Sequence, residues 1–428
     1  MCRFRRACEA DIRILVITNL YPPAVVGGYE IGCHRLVQAL ERRGHEIHVL
    51  TGVHGAVAVT ADEPHVYRTL PLVVGQEPGH AGWARAQWEL RSHRALDAAL
   101  RLVDPDVVYV FNVRMLSRSL LYHLDLHPVP VAYYVSDPWL AEAPEVDRWI
   151  RRWRPKTAPG EQWAKRVAKA ALRRVAPVIS SHRFVVDFAT VPKAELEFTS
   201  AVLRDSTAAA GREVGHSRVI HWGVDPSAFP PRPPIDECRR FLSVGQLVEH
   251  KGVHTAVAAF VALAKAHPDL DLSLTIAGTG RDAAYQRRLE DLIAGAPGQV
   301  TFVGHVGPVE IAALYRASDV LVFSSEWSEP FSITLLEGMA SGLAVVATMT
   351  GGTPEVARPD ENVLAYEAGS VDDCHRQLER VLDLNTARSL QAAARSTIEE
   401  GFTLDHMAAE VDAHLRATMK EWTAAAAC

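Results

Sequence analysis

Short runs of adjacent apolar, β-branched residues alternate along the chain with longer stretches in which apolar positions recur every three or four residues. The first run, residues 12–18, is apolar at four consecutive positions, 14–17, as a strand covered on both faces requires. Residues 19–28, with Pro22, Pro23 and the pair Gly27 and Gly28, predict a loop. A helical pattern then runs to Arg43 with Ile31, Leu36, Val37 and Leu40 on its apolar side, and Gly44 ends it. Residues 46–51 predict the next strand, so the chain opens with a βαβ unit whose first turn is rich in glycine. Further strands are predicted at 107–111, at 129–135 and within 177–186, and residues 219–225 close this half.

Residues 226–234 carry five prolines, which neither a helix interior nor a central strand accepts, and so read as a connector. A second βαβ series follows, with strands predicted at 240–244, 272–277, 300–303, 320–324 and 344–348. A last amphipathic helix is predicted from about 404 to 422, with the alanines at 424–427 as a frayed end. The expected organisation is an N-terminal α/β domain over 1–222, a C-terminal α/β domain over 223–400, and a closing segment over 401–428 that packs back on the first domain.

Composition narrows the chemistry. With 48% apolar and 22% charged residues in 428, the chain is an ordinary globular protein, and a formal charge of -6 supplies no basic field for nucleic acid. The cysteines at 2, 8, 33, 238, 374 and 428 form no Cys-x-x-Cys pair and have no histidine at ligand spacing, so neither a disulfide framework nor a zinc site is expected, and a reducing cytoplasm fits. No segment reaches about 18 uninterrupted apolar residues. Membrane contact, if any, is therefore expected to be peripheral.

The stretch from Glu326 to Gly342 holds two carboxylates, Glu329 and Glu337, around an apolar run. It follows the predicted strand 320–324, at the edge where open α/β sheets bind ligands. A helix is predicted to start near Phe331, with Pro330 suited to its first turn and the amides of Ser332, Ile333 and Thr334 free to meet an anion. Carboxylates beside an anion site repel the anion unless they face something else, and vicinal sugar hydroxyls are natural donors to them. On these residues alone a second reading stays open, in which Glu337 is a solvated helix residue and Glu329 a loop charge.

The segment from Glu329 to Glu337 resembles the Glu-x7-Glu signature of the retaining GT-B glycosyltransferases of family GT4. Residues 241–252 are similar to that family's Gly-Arg-Leu-x3-Lys-Gly segment, residues 276–280 to its Gly-x-Gly turn, and residues 344–355 to its Val-Val-Ala…Gly-Gly-x-Pro-Glu stretch. His221-Trp-Gly-Val-Asp225 resembles its hinge signature, and residues 19–28 its N-terminal glycine loop. The likeness is dense after residue 219 and thin between residues 52 and 218.

The resemblance implies a GT-B fold of two Rossmann-like doubly wound domains facing a cleft, with the donor held mainly by the second and the acceptor admitted by the first. It implies transfer of a sugar from a nucleoside-diphosphate donor, UDP or GDP, to a hydroxyl of a small molecule, glycan or lipid-linked acceptor, with retention of configuration and with neither cofactor nor metal. Carried over residue by residue, Glu337 becomes the ligand of the nucleotide ribose, Glu329 that of the transferred sugar, and Lys251 the cation that neutralises the diphosphate. Gly245, Gln246 and the backbone of Phe331, Ser332, Ile333 and Thr334 line the donor, and Gly27 and Gly28 let the first domain approach it. Asp137 is assigned to the sugar or acceptor, with a purely structural role as the alternative, and Ser136, His305 and Val306 are candidate contacts of base or acceptor.

Two positions depart from the family pattern. Gln246 stands where an arginine is common, and brings no charge. Ser136 stands where many members carry a histidine before Asp137. Two rivals remain at this stage: a nucleotide-sugar epimerase of the same fold, and a catalytically silent protein that binds sugar nucleotides or membrane. Asp269 and Asp271 fit an Asp-x-Asp metal motif formally, but they precede a strand and read as a solvated strand start. Residues 147–174 combine Trp149, Trp153 and Trp163 with ten lysines and arginines, a pattern that suits contact with an anionic membrane, the lining of an acceptor site, or a solvated face.

Overall fold

The computed structural model describes residues 11–53, 63–72, 83–146, 163, 167, 194–230, 232–294 and 299–427. Every residue of β1 (Arg13–Thr18) after its first is buried, because parallel neighbours cover both of its edges and packed layers both of its faces. It pairs with β2 (Glu46–Gly52), Ile14 opposite Ile47, and β2 pairs with β3 (Val66–Leu70). On its other side lie β4 (Val107–Asn112), β5 (Val131–Val135), β6 (Glu195–Phe198) and β7 (Arg218–Val219), all parallel. The order β3-β2-β1-β4-β5-β6-β7 reverses direction between β1 and β4, as in a doubly wound sheet.

The second sheet repeats the plan with β8 (Arg240–Val244), β9 (Ser273–Ala277), β10 (Val300–Gly304), β11 (Val320–Phe323), β12 (Ala344–Thr348) and β13 (Leu364–Tyr366) in the order β10-β9-β8-β11-β12-β13. Its core joins Phe241, Ile276, Val320 and Val346 to Phe260 and Leu263 of the helix Val253–Ala266. Each such side chain contributes about 1.5–3 kcal/mol by leaving water. Chain contacts divide the protein into one unit of Met1–Thr199, Arg204–Ile220 and Ala408–Cys428, and another of Ser200–Leu203 and His221–Met407.

Three strands carry too weak a pattern to be expected from sequence. β3 is mostly half-buried, and β13 has only three residues. β6 contains Glu195 and Glu197, which look polar, yet Glu197 is fully buried and accepts a hydrogen bond from Tyr109 Oη at 2.7 Å while pairing with His414. The strand expected within 177–186 and nearly all of the basic segment 147–174 lie outside the described residues. The expected frayed end is corrected: the last helix, Leu404–Ala427, takes in Ala424 to Ala427, which fits alanine's high helix propensity. The residues of this helix from Ala408 onward belong to the first unit, burying Val411, Leu415 and Met419 and placing Asp412 against His45 and Arg43.

In the second sheet, buried Asp319 just before β11 receives hydrogen bonds from the guanidinium groups of Arg240 and Arg232 and from the amides of Arg239 and Arg240. Burial pushes this carboxyl up, but the bonds from Arg240 and the amides outweigh it and hold it below its ordinary value of 3.8. A group depressed in the folded state stabilises above its unfolded value and loses that contribution as pH falls through the lower folded one. Asp319→Asn is therefore expected to lower the urea midpoint at pH 7, and the gap from the parent protein is expected to narrow as pH drops below about 3.8. Equal gaps at pH 7 and pH 3 would refute this account.

Candidate active site

The second sheet reverses between β8 and β11, so the loops leaving their carboxyl ends turn to opposite faces and open a crevice at that point. From β8 the chain passes Gly245 and Gln246 into a single turn, Glu249–Lys251, and then the helix Val253–Ala266. From β11 it passes Ser324 to Pro330 into the helix Ile333–Ala340. The two loops are laced together. Ser324 Oγ donates to the carbonyl of Lys251 at 2.9 Å, the amide of Glu326 donates to that of His250 at 2.9 Å, and Thr255 Oγ1 donates to Glu326 Oε1 at 2.8 Å. Gly252, between Lys251 and the helix, has φ +62°, and a Cβ there would overlap the carbonyl oxygen of Ser324.

A third loop, after β12, completes the arrangement. Thr348 Oγ1 and Thr350 Oγ1 both donate to the carbonyl of Ser325, at 2.6 and 3.1 Å, and the amide of Gly352 donates to the carbonyl of Glu329 at 2.8 Å. Gly351, at φ +58°, lies so close to the backbone of Glu329 that no side chain fits.

These loops bring Lys251 and Glu329 together. Glu329 Oε2 accepts from Lys251 Nζ, from Trp327 Nε1 at 2.8 Å and from Ser325 Oγ at 3.1 Å. Lys251 Nζ also lies 5.5 Å from the centre of the Trp327 ring, within reach of a cation–π attraction, and His250 packs edge-on against that ring. Glu329 is 9% exposed and Glu337 8%, so the two carboxylates are largely withdrawn from water. The reading of both as solvated charges therefore fails. Glu337 sits on the helix Ile333–Ala340 with Oε2 3.4 Å from Tyr315 Oη, and helix geometry leans its side chain toward the helix start.

The expected helix start near Phe331 is corrected. Ser332 is the N-cap, its Oγ accepting from the amide of Leu335 at 3.3 Å, and the helix begins at Ile333. Pro330 therefore lies ahead of the helix, and of the residues named from sequence only Ile333 and Thr334 place their amides in its first turn, where no intrahelical acceptor exists. Phe331 is buried against His221 and Phe402, with ring centres 4.8 and 6.0 Å away, while the Gln246 side chain is exposed beside Gly245. His305, exposed, and Val306, half-buried, follow β10, two strands from β8.

His221 also meets Glu355, its Nε2 2.8 Å from Oε2, while Glu355 accepts from the amides of Ala201 and Val202 at 3.0 and 3.1 Å. Burial raises the Glu355 carboxyl, but His221 and these amides outweigh it and leave it below its ordinary value. The end of the Gly-Gly-x-Pro-Glu stretch thus clamps a helix start. Asp269 and Asp271 are exposed at the amino end of β9, as a solvated strand start should be.

In the first unit the glycine loop also differs from a bare anion cradle. The amide of Gly27 donates to the carboxylate of buried Glu30 at 2.9 Å, a cap on the helix Gly28–Arg42, although nothing stands within 4 Å of where a Gly27 side chain would begin. Burial pushes the Glu30 carboxyl up, against the pull of the Gly27 and Val26 amides. Asp137 is 1% exposed and accepts from the amide of Trp139 at 2.8 Å and from Asn112 Nδ2 at 3.4 Å, with Arg114 Nη1 3.6 Å away. These partners hold the start of the helix Trp139–Val146 and favour the structural alternative for Asp137. Ser136 is buried, its carbonyl accepting from Tyr29 Oη at 3.1 Å. Trp327, Ser325, Tyr315 and Glu30 escaped the sequence reading. Only Trp327, two residues before Glu329, offered a signal.

Two parallel doubly wound sheets with a Glu-x7-Glu segment running from loop into helix at the switch point of the second define a GT-B glycosyltransferase of the GT4 type. Residues 26–193 match Glycosyltransferase Family 4 and residues 228–397 match Glycosyl transferases group 1, which together span most of the chain, and the protein belongs to that family. It is 26% identical over 411 residues to the glycogen synthase of Mycobacterium tuberculosis, covering 91% of each chain. It is 30% identical over 304 residues to the sulfoquinovosyl transferase SQD2 of Arabidopsis thaliana, covering 63% of this chain and 59% of that one. Among solved structures, the sucrose-phosphate synthase of Thermosynechococcus elongatus superposes with a TM-score of 0.71 at 21% identity, over 96% of this chain and all of that one. Anabaena HepE in complex with UDP and glucose gives a TM-score of 0.66 at 16% identity, over 95% of this chain and 100% of its own.

The geometry at Gly252 generates a test that does not need the substrate. Gly252→Ala forces an unfavourable left-handed residue against a carbonyl oxygen, and is expected to lower stability by at least about 1–3 kcal/mol in denaturant unfolding. Gly27→Ala, which meets open space at an extended φ, is expected to leave stability within about 0.5 kcal/mol of the parent. Reversal of that order would show that the lacing of the two loops is not what fixes Gly252.

Proposed function

We propose that the protein transfers a glycosyl group from a nucleoside-diphosphate sugar to an acceptor hydroxyl with retention of configuration. The observation that carries this reading is the bonded group of Lys251, Trp327 and Glu329 at the sheet's switch point, next to the helix that bears buried Glu337. In it, the donor diphosphate lies against the amides of Ile333 and Thr334 and the Lys251 ammonium, which stabilise the charge that grows on the leaving group. Glu337 binds the ribose hydroxyls, and Glu329 the hydroxyls of the transferred sugar. Gln246 contributes hydrogen bonding and no charge, so diphosphate neutralisation rests on Lys251 and the helix end.

The bond from the anomeric carbon to the phosphate oxygen breaks as the acceptor oxygen bonds to the same face of that carbon. The acceptor proton passes to the departing phosphate, so no protein nucleophile is needed. Exclusion of water protects the donor from hydrolysis. The first unit, through the region of Gly27, Gly28 and Ser136, serves the acceptor, a secondary-metabolite or cell-envelope glycan precursor. HepE is named in complex with UDP-glucose, which makes UDP-glucose the first donor to test, with GDP sugars next. Among the described residues no helix is long and apolar enough to cross a membrane, so a lipid-linked acceptor would be reached from outside the bilayer core.

A thermal-shift screen of nucleotide sugars, followed by acceptor screening with the stabilising donor and NMR of the product's anomeric proton, tests the reading. A product of inverted configuration, or release of an epimerised nucleotide sugar without acceptor, would overturn it. Loss of a charge-assisted hydrogen bond of about 1.5–3 kcal/mol predicts a roughly ten- to hundredfold effect. Glu337→Ala is expected to raise the donor KM by that factor, and Glu329→Ala to lower kcat by a similar factor with a smaller change in KM. Parent-like kinetics in both variants would remove the site assignment.

A further inference from the structure

Outside the candidate active site, the first unit contains a buried cluster whose ligand chemistry has no part in glycosyl transfer. Asp97 lies on the helix Trp83–Val103, His123 on the short helix Ser119–Leu124, and His127 four residues further on. Asp97 Oδ1 is 2.7 Å from His123 Nε2 and 3.0 Å from His127 Nε2, and one ligand atom from each residue falls within 4.8 Å of the other two. The side chains of Asp97 and His123 are 8% and 1% exposed, and that of His127 is 17% exposed.

We propose that Asp97, His123 and His127 form a structural binding site for a divalent transition-metal cation that favours imidazole, of the Zn2+ class. Two imidazoles and a carboxylate are an N/O donor set suited to such ions and poorly suited to Mg2+ or Ca2+, which prefer all-oxygen shells. Metal–ligand bonds of about 2.0–2.1 Å in a tetrahedron separate ligand atoms by roughly 3.3 Å. The two nitrogen–oxygen separations of 2.7 and 3.0 Å need open by a few tenths of an ångström, while the two imidazole nitrogens, within 4.8 Å of each other, settle toward about 3.3 Å and a water takes the fourth position.

The surroundings hold the ligands in place. The His123 ring stacks on that of His93 at 4.3 Å with planes 1° apart, and His93 Nε2 lies 3.0 Å from Ser119 Oγ. Ser119 Oγ and Ser117 Oγ both donate to Glu89 of the long helix, so this polar group positions the His93 ring on which His123 stacks. For the ion to bind, each Nε2 presents its lone pair and the imidazole proton sits on Nδ1.

Placement assigns the ion a structural role. The long helix ends at Val103, just before β4 begins at Val107, and His127 precedes β5 at Val131. The cluster thus lies toward the amino ends of the parallel strands, away from the carboxyl-end loops that carry Gly27 and Asp137. An ion there ties the segment entering β4 to the segment entering β5. From sequence the site is hidden, because Asp97 lies 26 residues before His123 on another helix.

The test uses the full-length protein stripped with a chelator and desalted. Zn2+ is titrated against a chromophoric competitor, and Co2+ absorption reports the ligand field. Expected are one tightly held Zn2+ per chain, a tetrahedral Co2+ spectrum, and a higher thermal midpoint with the ion. Affinity is expected to fall by more than about tenfold in His127→Ala and in Asp97→Asn. His127→Gln, conservative at a half-exposed position, serves if either variant fails to fold. Absence of stoichiometric binding by the parent protein, or binding retained equally in the folded variants, overturns the proposal.

Discussion

A carboxylate withdrawn from water persists only where donors surround it, and Glu329 draws its donors from more than one loop. Lys251 arrives from the turn after β8, while Trp327 and Ser325 arrive from the loop after β11. Two strands that are neighbours in space but some 80 residues apart in sequence must therefore deliver their loops to one oxygen atom. Removing any donor leaves a buried charge short of partners, which makes the group an all-or-none arrangement rather than a sum of weak contacts.

The backbone around this group is shaped to let that happen. Gly252 and Gly351 take left-handed conformations at which a side chain would collide with the carbonyl of Ser324 and with the backbone of Glu329. Ser332 turns the chain into the helix that presents Glu337, and Tyr315 approaches that carboxylate from the neighbouring helix Pro308–Ala317. The same sheet keeps its underside in register through buried Asp319, whose bonds from Arg240 and Arg232 join the entry of β11 to β8 and to the proline-rich connector. Polar groups at both ends of β11 thus hold the element from which the site is built.

Much of this architecture was legible because a buried parallel strand has an unmistakable pattern. β8 and β12 fall where their apolar runs end, since Arg240 and Ser243 aside every side chain of β8 is apolar and β12 is covered throughout. β6 was hidden because Glu197 imitates a surface residue, and only the distant His414 and Tyr109 explain its burial. The pairing of Lys251 with Glu329 was equally out of reach, because both residues could be assigned separate duties while nothing in the spacing shows that they touch. Pro330 suggested a helix start two residues too early, since the capping bond that the Leu335 amide donates to Ser332 Oγ competes with proline's local preference. Asp137 was named from sequence with a structural role as the alternative, whereas Glu30 was not named at all, and each bonds backbone amides at a helix start.

The bond between Glu197 and His414 spans 217 residues of chain. A ribosome adding about 5–20 residues per second delivers the histidine roughly 10–40 s after the glutamate. Through that interval Glu197 of β6 has Tyr109 but not its imidazole partner in what will become a sealed interior, while the intervening sheet from β8 to β13 can already close on its own residues. The first unit to be synthesised is therefore the last to be finished. A newly made chain therefore carries an N-terminal unit that is complete only when its last helix has been made.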